Sequence, residues 1–252
     1  MTNKLSCMKI LCLSVVLIIL ITGCKKDNAK RNCLLNQAKF TSAGTPAEIT
    51  SYEYDGQDRI KKITYSSSAN TYEYFTDSVV ISGENNRTTY FLGTGGLASS
   101  ARMIFLQSVN NLQFDYVFTY DTEGFLTREQ TIFSQVINGN FFRDTSFTNY
   151  TVLNGNVVKA ISTGWSDEQN YEYSTYSLPG NNPSLNLFPS AAGNFLGKAP
   201  KNLVSRIKDS GGNILADISY SFDPIRNIGT RIYKNHDPGC GIFTTEFTYH
   251  CN

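Results

Sequence analysis

The stretch Tyr52-Glu53-Tyr54-Asp55-Gly56-Gln57-Asp58-Arg59-Ile60-Lys61-Lys62-Ile63 reads as a β-hairpin, and degenerate copies of it recur down the chain. Tyr52 and Tyr54 are two apart, so on a strand they point to one face. Asp55 and Gly56 open a turn, because Asp bonds to nearby backbone N–H groups and Gly takes a positive φ at little cost. Arg59 to Tyr65 is the return strand. Tyr90-Phe91-Leu92 leads through Gly93 to Gly96 into Leu97 in the same way, and Phe118-Thr119-Tyr120-Asp121 leads through Gly124 into Phe125-Leu126. Tyr150-Thr151-Val152 with Asn154-Gly155-Asn156, and Tyr220-Ser221-Phe222-Asp223 with Pro224 to Asn227, follow. Copies fall about 30 residues apart, with one gap about twice that, within the range of internal repeats. An aromatic content of 13% over 252 residues, with abundant Ser, Thr, Asn and Gly, is strand-and-turn composition. The fold class expected is all-β: an antiparallel up-and-down meander curling into an open or closed barrel-like sheet.

Three segments follow along the chain. Residues 1–23 read as a lipoprotein signal peptide: Lys4 and Lys9 precede the apolar run Ile10 to Ile21, which is short for a membrane span. The run ends Leu20-Ile21-Thr22-Gly23-Cys24, which resembles a bacterial lipobox, and Cys24 is the expected site of lipidation. A thiolate suits transfer of a lipid to sulfur, and several acyl chains anchor stably where one does not. Residues 24–45 read as a lipidated N-terminus and a tether running into a first edge strand, and 46–252 as a single β-domain. Cleavage removes Lys4 and Lys9, so 22 basic residues become 20 against 21 acids and the mature net charge is −1. That balance offers no basic field for nucleic acid. The partner expected is a membrane, through the anchor, with a glycan, a lipid or an envelope protein as ligand. The location expected is the outer membrane, facing periplasm or cell surface.

Strands are expected at about 47–54, 59–65, 71–76 and 78–83, and later at 203–209, 214–222, 228–234 and 242–250. Phe114-Asp115-Tyr116-Val117-Phe118-Thr119-Tyr120 is the clearest alternation and places its aromatics on one face. The stretch 178–200 holds Pro179, Pro183, Pro189 and Pro200, which exclude interior strands. A short helix from Pro183 to Phe188, capped by Asn182, fits this insertion. It is either a packed surface loop or a lid over the end of the sheet. Of the cysteines outside the leader and the anchor, Cys240 and Cys251 flank one strand and are too far apart to bond to each other. Cys33 is then the partner of Cys251 or Cys240. Cys251 is favoured, because it shares parity with Phe243, Thr245, Phe247 and Tyr249 on the packed side.

The lipobox, the Tyr-x-Tyr-Asp hairpins and the return strand Gly155-Asn156-Val157-Val158-Lys159 together resemble an uncharacterised lipoprotein family of Bacteroidetes-type bacteria. The insertion followed by Lys201-Asn202-Leu203-Val204 also resembles it. That family is built of YD-repeat-like units and described as porin-like in fold. The resemblance implies a meander curling towards a barrel and assigns no catalytic residue. Charges inside strands, as at Lys61 and Lys62, speak against a lipid-facing barrel.

Other motifs are weak. Gly93-Thr94-Gly95-Gly96-Leu97-Ala98 matches a nucleotide-binding fingerprint, but a hairpin turn explains it. Ser205-Arg206-Ile207-Lys208 matches S-x-x-K within an expected strand. Glu53 and Asp55 are a carboxylate pair of the kind a glycosidase uses, and also ordinary turn-flanking residues. Asp77-Ser78-Val79 resembles an O-glycosylation signal on Ser78. Trp165, Tyr171 and Tyr173 are candidate ligand-facing aromatics. No metal-ligand spacing, cofactor motif or catalytic constellation is present, so the function expected is a non-enzymatic binding or scaffold module. A carrier of a hydrophobic ligand and a carbohydrate-active enzyme are the alternatives.

Overall fold

The computed structural model describes residues 33–107, 111–163, 168–175, 194–237 and 241–251. Sixteen antiparallel strands pair in sequence order and close into a barrel. They are β1 (Cys33–Ser42), β2 (Glu48–Tyr54), β3 (Ile60–Thr64), β4 (Ala69–Tyr74), β5 (Ser78–Ser82), β6 (Asn86–Leu92), β7 (Ala98–Phe105) and β8 (Gln113–Tyr120). The second half is β9 (Leu126–Ile137), β10 (Asn140–Leu153), β11 (Asn156–Ser162), β12 (Glu168–Tyr173), β13 (Val204–Lys208), β14 (Ile214–Asp223), β15 (Ile228–Asn235) and β16 (Ile242–Cys251). Residues 32–252 form one compact unit.

The Asp-led loops share one geometry. In the β2–β3, β8–β9 and β13–β14 loops, the first residue is Asp55, Asp121 or Asp209. Its N–H donates to the carbonyl four residues on, at 2.8 to 3.0 Å. Its carboxylate Oδ1 accepts from the backbone N–H groups two and four residues on, at 2.8 to 3.0 Å. The fourth residue of each loop has positive φ: Asp58 at 59°, Gly124 at 89° and Gly212 at 82°. The β6–β7 loop keeps the backbone pattern, with Gly93 N–H donating to the Leu97 carbonyl at 2.7 Å and Gly96 at φ 77°. The nucleotide-like fingerprint is therefore a hairpin turn with a strand on each side.

The seam closes between β1 and β16, where Cys33 lies opposite Cys251. These two cysteines form a disulfide. The first edge strand expected at the end of the tether is β1, Cys33–Ser42. A register shift between Leu35 and Gln37 breaks the alternation that would have shown its extent.

The inner face repeats a two-residue unit once per hairpin. Tyr52 and Tyr54, Tyr72 and Tyr74, Tyr90 and Leu92, Phe118 and Tyr120 and Tyr150 and Val152 project inward from β2, β4, β6, β8 and β10. Tyr171 and Tyr173, Ile218 and Tyr220 and Phe247 and Tyr249 continue it on β12, β14 and β16. The second tyrosine often donates its hydroxyl to a carbonyl of the preceding strand. Tyr54 bonds to Leu35 at 2.8 Å, Tyr74 to Ile60 at 2.9 Å, Tyr120 to Ala98 at 2.9 Å, Tyr173 to Val157 at 2.5 Å and Tyr220 to Val204 at 2.9 Å. Leu92 and Val152, at the same place, carry no hydroxyl.

The outer face carries cross-strand ion pairs. Lys62 pairs with Glu53 at 3.7 Å, Arg102 with Asp115 at 2.7 Å, Lys159 with Glu168 at 2.8 Å and Arg206 with Asp217 at 2.6 Å. Several exposed apolar side chains there have polar cross-strand neighbours, although Phe141, near the β9–β10 turn, faces Val136. Phe91 lies between Ser78 and Ser100, and Ile232 between Ser219 and Thr244. A lipid-facing barrel needs the opposite arrangement, an apolar outer band.

Candidate functional site

The end of the barrel that carries the Asp55 and Asp121 loops is filled. Leu35, Tyr52, Ile60, Ile63, Phe247 and Tyr249 form one buried cluster there. A second gathers Val79, Ala98, Phe118 and Leu126 around Phe195 and Leu196, which come from a 3-10 turn at Asn194–Leu196. This is the described end of the Pro-rich insertion. It packs into the barrel mouth rather than over it: Phe195 meets Tyr90 at 5.0 Å, and the Lys198 and Lys201 N–H groups donate to the Gly124 and Gly155 carbonyls at 2.9 Å. Gly197 has φ +94°, and a Cβ there would lie 2.9 Å from the Gly124 carbonyl oxygen. Residues 176–193, including the expected helix, lie outside the described residues.

Further along the lumen the inward side chains of β8, β9 and β10 become half-buried. On β8, Phe118 is buried while Tyr116 and Phe114 retain exposure. Their rings stack along the strand: Tyr116 and Phe118 at 6.2 Å and 3°, Phe114 and Tyr116 at 6.4 Å and 18°. Phe133 of β9 meets Phe114 at 5.2 Å. These inward rings of β8 and β9 are therefore not fully enclosed by the described side chains.

Two carboxylates of the described residues lie on this inner face: Glu129 and, nearer the β9–β10 turn and exposed, Asp144, which lies opposite Phe133. Glu129 lies opposite Phe118 on one side and Thr148 on the other, which places it on the inner face. Its hydrogen-bond partner among the described residues is the Thr131 hydroxyl, which donates at 3.4 Å, a weak contact. Burial holds the Glu129 carboxyl above the usual carboxylate range, with the Thr131 bond pulling the other way. The charge is felt by Tyr90, Tyr116, Tyr120 and Tyr150, whose hydroxyls burial itself pushes up, Tyr90 to about 12. An inward cation, Arg231 of β15, donates to Thr245 at 3.3 Å and lies 5.7 Å from the Phe247 ring centroid. Burial lowers its pKa. Neither residue stood out in the sequence.

Tyr171 and Tyr173 are inward and half-buried among the packed residues of β11 to β15; Tyr171 donates to Gln169 at 2.8 Å, and burial pushes it up to about 12. Ser78 opens β5 and donates to Asp77 at 3.0 Å. Glu53 is engaged by Lys62, while Asp55 caps its loop and pairs with Arg59 at 2.6 Å, which holds its carboxyl below the usual range. Ser205 donates to the Glu172 carbonyl at 3.2 Å, and Lys208 pairs with the Glu172 carboxylate. These S-x-x-K and carboxylate pairs are thus built into strand contacts and a turn. His236 meets Asp217 at 2.8 Å at the opposite end. Trp165, Cys24 and Cys240 lie outside the described residues. No group of three or more potential metal ligands converges among the described residues.

No family model matches the chain, and no curated protein matches it. Solved structures do. A porin-like protein from Bacteroides uniformis ATCC 8492 superposes with a TM-score of 0.63 at 14% identity, covering 89% of this chain and 98% of that one. A porin-like protein from Bacteroides vulgatus ATCC 8482 gives a TM-score of 0.62 at 13% identity, covering 87% and 99%. At such identity the likeness concerns fold alone: this chain is a closed antiparallel barrel of the architecture those porin-like proteins have.

Proposed function

We propose that the chain is a lipid-anchored binding or scaffold module of the bacterial cell envelope, without enzymatic activity of its own. The observation that carries the reading is the polarity of the barrel. Its outer face bears ion pairs suited to water, and its inner face is aromatic. Such a barrel has no means of holding itself in a bilayer, and the lipobox at Cys24 supplies one. The barrel's likeness to porin-like proteins fits an outer-membrane location, with the domain facing periplasm or cell surface. Ser78, half-exposed at the start of β5, is a site where a glycan would meet little obstruction. A second reading, carriage of a hydrophobic ligand, is favoured by the half-buried inward rings of Phe114, Tyr116 and Phe133.

The test begins with native mass spectrometry of the mature chain carrying Cys24→Ser, expressed in a bacterial periplasm. It continues with a glycan array, a lipid overlay and an envelope pull-down. A retained glycan, lipid or protein supports the module, and a retained lipid inside the barrel favours the carrier. A clean apo mass with three empty screens contradicts both.

A further inference from the structure

We propose that the lumen beside Glu129 is a binding site for an organic ammonium ion, with the carboxylate as counter-charge and the rings of Tyr116, Phe118, Tyr90 and Tyr150 as its wall. The inference deepens the binding-module reading and rests on it.

The barrel leaves the Glu129 carboxylate uncompensated. A carboxylate taken out of water needs a partner of opposite charge or several strong donors. Even the outer-face carboxylates Glu53, Asp115, Glu168 and Asp217, which water reaches, have a Lys, Arg or His within 4 Å. Glu129 is the half-buried inward acid, no ion pair reaches it among the described residues, and the other inward acid, Asp144, is exposed. Its position opposite Phe118 and Thr148 is fixed by ladder hydrogen bonds on both sides, so it cannot turn outward without breaking register. Burial already penalises its charged form.

The neighbours are the groups a cation would meet. Phe118 and Tyr116 present nearly parallel rings, and Tyr90 stacks on Phe118 at 6.3 Å and 22°. Tyr150 comes from the facing side of β10. Aromatic faces carry negative quadrupole charge and attract an ammonium group, more strongly when both are desolvated. The titratable groups that face Glu129 are Tyr90 from β6, Tyr116 and Tyr120 from β8 and Tyr150 from β10. All four are neutral at physiological pH, and the other inward carboxylate, Asp144, lies four residues from Thr148 along β10, so the charge beside these rings is negative. A sugar would satisfy hydrogen bonds there but leave the charge unbalanced. A primary or quaternary ammonium with an apolar body would balance it and cover the rings.

The test is isothermal titration calorimetry of the mature chain carrying Cys24→Ser, at neutral pH, with three probes of similar ring size. These are benzyltrimethylammonium, benzyl alcohol and benzoate. The cation is expected to bind, with the alcohol and the anion weaker by roughly tenfold or more, the range of one charge-assisted contact. Glu129→Gln is expected to weaken the cation by the same factor while leaving the outer-face control Glu53→Gln unchanged. Cation affinity should also fall as the pH drops through the range in which Glu129 takes up its proton. Circular dichroism and a thermal melt check that Glu129→Gln folds; the variant should melt no lower than the parent, since it removes an unbalanced charge. Equal cation binding by parent and Glu129→Gln, or a preference for the alcohol or the anion, overturns the inference. A chain that ignores all three probes yet retains a glycan, lipid or protein in the screens above loses this inference and keeps the broader reading.

Discussion

Each inward tyrosine of the second kind does two jobs: its ring fills the barrel and its hydroxyl satisfies a carbonyl of the preceding strand. Tyr54→Phe keeps the ring and removes the donor to Leu35. The expected loss is about 1 kcal/mol, measured by urea titration, because a part-buried hydrogen bond is removed. Tyr120→Phe should lose a similar amount through Ala98. Glu129 acts in the opposite sense to the turn aspartates. Its carboxyl is raised in the fold, so the folded chain holds the proton more tightly than the unfolded one. Its contribution is therefore most favourable below the ordinary carboxyl range and is lost as pH rises through the raised value. Asp55 and Asp209 are lowered, by bonds from Arg59 and Asn213 respectively. Their contribution is present above the ordinary range and is lost as pH falls through the lowered values. Glu129→Gln should flatten the first dependence and leave the second intact, read from thermal melts across pH 3 to 8.

At the level of the hairpin, the loop chemistry decides register. Gly124 sits at φ +89° with its N–H bonded to the Asp121 carbonyl at 3.1 Å. Gly124→Ala forces a Cβ into that conformation and should cost roughly 1 kcal/mol. Gly197→Ala should cost more, since its Cβ would meet the Gly124 carbonyl oxygen and the Tyr120 ring, both at 2.9 Å. These hairpins were readable because Tyr-x-Tyr-Asp states strand face and turn in four residues. The β8 alternation and its stacked rings were equally plain. Three features were not. The extent of β1 was hidden by its register shift, which puts Leu35 and Ala38 on one face at a spacing that looks unlike a strand. β6 and β7 were only partly evident, since Arg87 and Arg102 alternate with few apolar residues. Glu129 escaped notice because a shift between Thr119 and Tyr120 moves it to the inner face, against the parity counted from Leu126. Periodicity assumes an unbroken ladder, and bulges reset it.

Across the whole molecule, closure depends on a single pairing between the first and last strands. Cys33 and Cys251 are 218 residues apart in sequence, so their disulfide constrains nearly the entire unfolded barrel. The paired Cys33→Ala, Cys251→Ala variant should lose on the order of 3–5 kcal/mol, an entropy argument tempered by the ladder that remains. Cys24→Ala should abolish incorporation of labelled palmitate and release the chain from the membrane fraction; an unchanged membrane fraction would contradict the proposed anchor. The deepest commitment concerns which side of the barrel faces water. Ion pairs at Glu53–Lys62, Arg102–Asp115 and Arg206–Asp217 stand on the outer face, and aromatic clusters on the inner. Sedimentation velocity of the mature Cys24→Ser chain in detergent-free buffer, with circular dichroism on the same sample, asks this directly. The expected result is a folded, compact β-protein that stays in solution and leaves liposomes intact and non-conducting. A chain that folds only in detergent, or inserts into bilayers and conducts ions, would contradict the account.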